Sequence, residues 1–163
     1  MNPHYTLNRE QWVPRSIEDT FAFFSDAGNL EELTPRWLKF RILTPQPIDM
    51  ASGTWIRYRL AWHGIPIKWT TLITRWDPPC SFEDLQLSGP YKLWHHTHIF
   101  QPERGGTRIT DIVQYALPLG LLGRVTHALS VRRNVEQIFD YRFQRIQAIF
   151  KTPDGQLTRG SAG

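Results

Sequence analysis

The sequence predicts an α+β fold in which a curved antiparallel sheet of about seven strands wraps around one long C-terminal helix. Short segments of alternating apolar and polar residues fill the chain from about residue 54 to residue 116, and turn residues separate them. A proline-free stretch with helical periodicity follows, from about 121 to 150. One strand and two short helices are expected ahead of the alternating segments.

The N-terminal part of the chain predicts a strand, two short helices and a second strand. Residues 5–13, "YTLNREQWV", alternate imperfectly and predict the first strand, which Pro14 ends. Ser16 followed by Asp19 three residues later predicts the start of a short helix. "NLEEL" predicts a second short helix, and "LKFRIL" predicts a strand after it. "TPQPIDMASG" is rich in turn residues and predicts a loop.

The middle and C-terminal parts predict an antiparallel meander followed by the long helix. The alternating segments are "TWIRYRLAW", "IKWTTLITRW", "SFEDLQL", "YKLWHHTHIFQ" and "TRITDIVQYAL". Apolar residues then recur with helical spacing at Leu121, Val125, Ala128, Val135, Phe139, Phe143, Ile146 and Phe150. Only this helix is large enough to cover an apolar concave sheet face. A gap between the helix and the sheet is therefore the expected functional site.

Composition limits the classes of function. The 163 residues predict a single domain over 1–151 and a disordered tail over 152–163. A formal charge of +4 is too small to predict nucleic-acid binding, and no apolar run approaches the roughly 20 residues of a membrane span. With no apolar leader and a lone Cys80, we expect a reduced, cytoplasmic protein. Seven Trp, nine Phe and five Tyr predict a pocket for an apolar or aromatic ligand.

The segment "GPYKLWHHTHIF" holds three of the six histidines. Strand alternation puts Trp94, His96, His98 and Phe100 on one face of the sheet and His95 on the other. We assign the Trp94 face to the concave side, because its ring-bearing side chains suit an enclosed cavity. The three histidines are then an inward pair and an outward neighbour.

Turn positions predict which residues lie opposite these histidines. The turn "ERGG" predicts a register in which paired residue numbers sum to about 209, so that His98 faces Asp111. A hairpin through "SGP" places Asp84 opposite His96. The sequence therefore predicts two His–carboxylate contacts on one sheet face. The other partners in these registers are Val113 opposite His96, and Tyr115 and Gln86 opposite Trp94.

Three chemistries remain open for this polar group. Two imidazoles and two carboxylates could ligate a metal ion, but no zinc spacing such as HExxH is present, and we expect no metal and no other cofactor. A carboxylate can orient an imidazole for proton transfer, which makes His98, Asp111, His96 and Asp84 candidate catalytic residues. The same side chains can instead position a polar group of a bound ligand without catalysis.

Arg132 falls within the apolar stripe of the long helix, between Ala128 and Val135. A buried guanidinium there would anchor a carboxylate, phosphate or enolate of the ligand, or pair with Glu136 one turn later or with the cavity carboxylates. Alternatively, the side chain could extend past the cavity mouth into solvent. The predicted ligand-binding residues are Tyr58, Trp69, Asp84, Gln86, Trp94, His96, His98, Asp111, Tyr115, Arg132 and Phe139.

The order of elements and several stretches resemble the SRPBCC superfamily, with the START-like helix-grip fold shared with polyketide cyclase/dehydrase-like proteins. The stretches are "TFAFFSDAGNLEELTPRWLKFRI", "GTWIRYRLAWHGIPIKWTTLI", "GPYKLWHHTHIF", "GTRITDIVQYALPLG" and "VRRNVEQIFDYR", within residues 5–150. The likeness is to small bacterial members, and it implies a ligand-binding domain but no agreed reaction, because this fold hosts transfer proteins, sensors and enzymes. Some similar proteins are fused to nucleotide-sugar-epimerase-like proteins, which implies an epimerase-like partner protein.

Three functions follow as hypotheses. The first is the binding of a small hydrophobic molecule, aromatic or lipid-like, between the sheet and the C-terminal helix. The second is a cyclase/dehydratase-type enzyme in which His98 and Asp111 move protons. The third is an accessory domain that docks a partner enzyme through its surface. The sequence specifies neither the ligand nor the oligomeric state.

Overall fold

The computed structural model describes residues 4–118, 125 and 130–151, and they form one seven-stranded antiparallel sheet with helices on one face. The strand order is β1-β7-β6-β5-β4-β3-β2. The strands are β1 Tyr5–Val13, β2 Arg41–Ile42, β3 Trp55–Trp62, β4 Ile65–Asp77, β5 Ser81–Ser88, β6 Leu93–Glu103 and β7 Gly106–Ala116. The helices are α1 Ile17–Ser25 and α2 Arg132–Lys151, with two 3-10 helices at Ala27–Leu30 and Arg36–Leu38. This architecture confirms the predicted α+β helix-grip fold.

The predicted capping of α1 is confirmed. The Ser16 hydroxyl accepts a hydrogen bond from the backbone N–H of Asp19 at 3.1 Å, which satisfies one of the free donors of the first turn. The second predicted helix is a 3-10 helix that starts slightly earlier, because Asp26 caps it through the Gly28 N–H at 2.8 Å. The predicted strand "LKFRIL" shrinks to two residues, since Lys39 adopts a left-handed conformation just before it.

Two short turns determine the register of the meander. His63 and Gly64 join β3 to β4, and Arg104 and Gly105 join β6 to β7; all four residues have positive φ. Two-residue loops of this kind match the right-handed twist of a hairpin and set its pairing. The predicted sum of about 209 between β6 and β7 is confirmed, from Trp94↔Tyr115 through His98↔Asp111 to Phe100↔Ile109. The predicted pairing of Asp84 with His96 is also confirmed.

Helix α2 covers the sheet with one apolar face. Its buried side chains are Val135, Phe139, Ile146 and Phe150, spaced as one helical stripe. Val125, predicted for the same stripe, is 51% exposed. The predicted start of the helix near residue 121 and the predicted tail over 152–163 lie outside the described residues. Within the described ranges, no helix is both long and apolar enough to cross a membrane.

Two apolar clusters fill opposite ends of the space between the sheet and the helices. The first consists of Val13, Phe21, Phe24, Leu33, Phe82, Phe100, Ile109, Ile146 and Phe150. The second consists of Leu7, Trp69, Tyr91, Val113, Tyr115, Val131, Val135 and Phe139. Along β6, His96 and His98 fall between Trp94, which packs on the second cluster, and Phe100, which belongs to the first. The fold therefore places two histidines in the interior, between apolar regions.

Candidate functional site

A cavity of about 180 Å³ lies between the sheet, α2 and the short helices. Most of its wall is apolar, with contributions from β3 and β4 (Tyr58, Trp69), β6 (Trp94) and α2 (Ile138, Phe139). Asp84, His96, His98 and Arg142 form a polar part of the same wall. An apolar cavity with a few convergent polar groups is typical of a binding site for a small molecule.

Strand alternation carries the polar groups into this cavity. His96 and His98 are two residues apart on β6 and point to the same face, as the sequence predicts. The outward neighbour, His95, instead contacts Glu83 on the opposite face, with Nε2 3.1 Å from Oε2. The inward histidines are 5% and 3% exposed, so their ring nitrogens need hydrogen-bond or ion-pair partners in the interior.

Two carboxylates share these two imidazoles. Asp111 Oδ1 lies 3.0 Å from His96 Nε2 and 2.8 Å from His98 Nδ1. Asp84 Oδ2 lies 3.4 Å from His98 Nε2 and 3.7 Å from His96 Nδ1. Each carboxylate therefore contacts both rings, whereas the sequence predicted one partner for each. The reason is that the rings lie almost on top of each other, with centroids 3.8 Å apart.

The environment separates the pKa values of the two histidines. Burial lowers the pKa of His96, and the nearby positive charge of His98 adds to this effect. Burial acts in the same direction on His98, but the contacts with Asp111 and Asp84 outweigh it and raise its pKa. The arrangement favours a neutral imidazole at position 96 beside an imidazolium at position 98.

Both carboxylates stay ionised. Burial opposes the charge of Asp111, but the Arg142 guanidinium and both imidazoles hold its pKa well below the ordinary value. Burial also opposes the charge of Asp84, and His98, His96 and Arg142 lower its pKa nonetheless. One imidazolium, one guanidinium and two carboxylates give a cluster that is close to neutral overall yet strongly polar.

Arg142 is the functional residue that the sequence interpretation missed. It lines the cavity, its guanidinium carbon lies 5.3 Å above the Phe24 ring, and its buried Nε has no hydrogen-bond partner among the described residues. The signal was present in the sequence, because Arg142 lies three residues after Phe139 and four before Ile146 and so continues the buried stripe. The prediction instead places the adjacent residue, Phe143, in this stripe.

The prediction that Arg132 is buried is wrong. Its side chain is 69% exposed, although it does form the predicted ion pair with Glu136, at 3.0 Å. Val131, which is 6% exposed, takes the inward position one turn before Val135, so the next residue, Arg132, lies at the edge of the buried face. Val131 and Val135 therefore point to the sheet and Arg132 points away.

Three further predicted residues lie outside the cavity wall. Gln86 uses its amide to hold the backbone of Tyr91, at 2.7 Å and 3.3 Å, because the β5–β6 pairing ends at Leu85. Tyr115 packs against Trp94 in the second apolar cluster, and burial raises its pKa to about 12. Asp111 lies behind the two histidines and reaches the cavity only through them.

The aromatic wall is held by hydrogen bonds as well as by packing. The Tyr58 hydroxyl and the Trp69 indole N–H both lie 3.0 Å from the Thr71 hydroxyl, and the two rings stack. Trp94 meets Trp69 edge to face, with centroids 5.5 Å apart. Burial and the charge of Asp84 raise the pKa of Tyr58 far above its ordinary value, so its phenol stays neutral.

A sheet that wraps around a C-terminal helix and leaves a lined cavity between them defines a helix-grip protein. The profile of the polyketide cyclase/dehydrase and lipid transport family matches residues 13–139. The chain therefore belongs to this SRPBCC-type family, which confirms the resemblance drawn from the sequence.

Solved structures share the fold at low sequence identity. Protein CV1439 from Chromobacterium violaceum is 14% identical, with a TM-score of 0.69 over 90% of this chain and 97% of that one. Protein TTHA0849 from Thermus thermophilus is 21% identical, with a TM-score of 0.62 over 88% and 98%. Major latex-like protein 151 from Panax ginseng is 10% identical, with a TM-score of 0.66 over 91% and 99%. No curated protein sequence matches the chain.

Proposed function

We propose that this protein binds a small hydrophobic molecule in the cavity between the sheet and α2. This proposal rests on the composition of the wall, which is mostly aromatic and aliphatic. A polar part is formed by Asp84, His96, His98 and Arg142, and further polar residues line the wall at Asp26, Asn29, Thr34 and Thr71. Family membership supports the same class of ligand, since the family description includes lipid transport. A volume of about 180 Å³ is below the roughly 300–1,000 Å³ of drug-sized pockets and favours a compact ligand.

The polar part of the wall favours a ligand with one neutral polar group. Asp84 offers a carboxylate acceptor and Arg142 an unused N–H donor, and the cluster as a whole is close to neutral. A hydroxyl can donate to the first and accept from the second, whereas a full negative charge would meet Asp84. We therefore favour an aromatic or alicyclic alcohol or phenol over a carboxylate.

Proton transfer is the second candidate function. It is favoured by the opposite pKa shifts of His96 and His98, which place a neutral imidazole and an imidazolium side by side at the cavity wall. Under this alternative His98 donates a proton to an oxygen of the ligand while Asp111 keeps the ring oriented. His98→Gln would then abolish turnover but leave binding within about threefold.

Binding can be tested first with the protein as purified, by native mass spectrometry followed by extraction of any bound small molecule. Next, chelator-treated protein is titrated with the fluorescent probe N-phenyl-1-naphthylamine, and naphthalene and 2-naphthol compete for the probe. The proposal expects 2-naphthol to bind about tenfold more tightly than naphthalene, which corresponds to about 1.4 kcal/mol of polar recognition. If naphthalene and 2-naphthol compete equally well for the probe, the proposed polar contact with the ligand hydroxyl is wrong.

Matched variants locate the binding. Ile138→Phe narrows the cavity and is expected to weaken probe binding about tenfold or more, whereas Gln137→Phe, on the exposed face of α2, leaves it unchanged. Arg142→Met is expected to remove the preference for 2-naphthol, and Arg133→Met, which changes an exposed arginine of the same helix, is not. Probe binding that survives Ile138→Phe and fails in Gln137→Phe would place the ligand outside the cavity.

A further inference from the structure

We propose that Asp84, His96 and His98 form a binding site for one divalent transition-metal ion, of the Zn²⁺ or Fe²⁺ kind, at the polar part of the cavity wall. The linear sequence contains no zinc motif, because the donors come from two strands. His96 and His98 form an H-x-H pair on β6, and Asp84 lies directly opposite His96 on β5. Two imidazoles and one carboxylate are a donor set that these ions take readily.

Two of the three distances between the donor atoms are already close to those that a metal requires. One ligand atom from each of the three residues can be chosen so that all lie within 4.8 Å of one another. Bonds of roughly 2.0–2.2 Å around a tetrahedral ion separate neighbouring donor atoms by about 3.3–3.5 Å. Asp84 Oδ2 lies 3.4 Å from His98 Nε2 and 3.7 Å from His96 Nδ1. Shifts of a few tenths of an ångström on these two edges suffice.

Asp111 supplies the outer support that metal-binding histidines need. If His96 binds the ion through Nδ1 and His98 through Nε2, each ring's remaining nitrogen faces Asp111 Oδ1, at 3.0 Å and 2.8 Å. A carboxylate in this position fixes the tautomer and the ring orientation of a metal-binding histidine. One aspartate on β7 therefore hydrogen-bonds the His96 ring and lies in ion-pair contact with the His98 ring.

Packing fixes the direction of the His98 ring. His98 Nδ1 is buried and lies 2.8 Å from Asp111 Oδ1, yet it is not aligned to form a hydrogen bond there. The ring is instead held by stacking on Phe82, with centroids 4.1 Å apart, and this position aims Nε2 at Asp84.

The open coordination position faces the cavity. Asp84, His96 and His98 all line it, whereas Asp111 lies behind them. With both imidazoles neutral, the ion, Arg142 and the two carboxylates carry a net charge of +1. A hydroxide or the oxygen of a bound ligand at the open position offsets this charge. The metal site does not require the proposed hydrophobic ligand, and metal titration without probe tests it separately.

The test uses protein without a polyhistidine tag, stripped of metal with a chelator and titrated with Zn²⁺ by calorimetry. The expected result is one ion per chain. Asp84→Asn and His98→Gln each weaken binding by at least about 100-fold, and Asp111→Asn weakens it by about 10–100-fold, as for an outer-shell carboxylate. His95→Gln and Glu83→Gln change the matched pair on the opposite sheet face and leave the affinity unchanged.

Co²⁺ loading and X-ray absorption of the Zn²⁺ form provide a measurement that does not depend on folding of the variants. Two imidazoles with oxygen ligands in a four- or five-coordinate geometry support the site. Failure of the wild type to bind Zn²⁺ overturns it. Binding lost in His95→Gln but retained in His98→Gln also overturns it, because the ion would then lie on the opposite face of the sheet.

Discussion

Asp111→Asn tests whether the buried cluster is held by charge. Asp111 is 6% exposed, and its Oδ1 lies within 3.0 Å of both inward imidazoles. The asparagine keeps the volume but removes the negative charge, and leaves the His98 imidazolium and Arg142 with only Asp84 to balance them. Removing one partner of a buried charged network costs about 3–5 kcal/mol. For a chain of this length we expect the melting temperature to fall by about 6–20 °C.

The assay is urea unfolding followed by circular dichroism, in chelator and at pH 7. Asp140→Asn serves as the control, because Asp140 pairs with Arg9 at 3.3 Å on the surface and its side chain is 62% exposed; we expect a loss below about 1 kcal/mol. The double variant Asp111→Asn/His98→Gln removes the unpaired imidazolium and is expected to recover about 1–3 kcal/mol relative to additivity. A loss below 1 kcal/mol in Asp111→Asn, or strict additivity, would refute the charged network.

Three further predictions concern pH, a turn and the helix surface. Since the pKa of Asp111 is lower in the folded protein than the roughly 3.9 of an unfolded chain, its contribution is present above about pH 4 and is lost as the pH falls further. Because Asp111 also raises the pKa of His98 above the roughly 6.5 of an unfolded chain, that part of the contribution is lost as the pH rises through the raised pKa of His98. The difference in unfolding free energy between metal-free wild type and Asp111→Asn should therefore be largest between about pH 4 and pH 6 and shrink on both sides, and a difference that instead grows in acid contradicts this. Gly106→Ala should destabilise more than Gly105→Ala in urea unfolding, because a Cβ at 106 would lie 2.2 Å from the Val13 carbonyl oxygen. A Cβ at 105 meets nothing within 4 Å, so Gly105→Ala should lose only the roughly 1–2 kcal/mol of an alanine at positive φ. Equal losses would refute the packing at this turn. Arg132→Ala should cost no more than about 0.5 kcal/mol, as for one exposed i,i+4 ion pair, and a loss above 2 kcal/mol would restore a buried role for this arginine.

The sheet was the predictable part of this molecule. Alternation decides which side chains share a face, and a two-residue turn decides the pairing, so that Arg104 and Gly105 determine the His98–Asp111 contact from sequence alone. The pairing within each hairpin depends only on residues that are close together in the sequence. The inward orientation of Trp94 and His96 followed from their rings, which suit an enclosed space better than a solvated face.

The helix side of the site was harder to predict. Helical periodicity predicts that a buried stripe exists but not which residues lie at its centre, and Val131 rather than Arg132 takes the inward position one turn before Val135. Arg142 fits the spacing of the buried stripe, yet a charged residue stays half-buried there because two carboxylates from strands of the sheet balance its charge. These contacts join residues far apart in the sequence, which helix periodicity does not predict. The shared contacts of the two histidines likewise depend on ring stacking, which no pairing register specifies.

A hydrophobic molecule in the cavity would lie beside Trp69 and Trp94, and the NMR signals of their indole N–H groups would report its binding. The seven tryptophans give separate signals in a ¹⁵N-correlated spectrum, and single Trp→Phe variants assign them. Titration with N-phenyl-1-naphthylamine is predicted to shift the signals of Trp69 and Trp94, which line the cavity, and to leave those of the exposed Trp12, Trp37 and Trp55 in place. Shifts confined to the three exposed indoles would show that the molecule binds at the surface and not in the cavity.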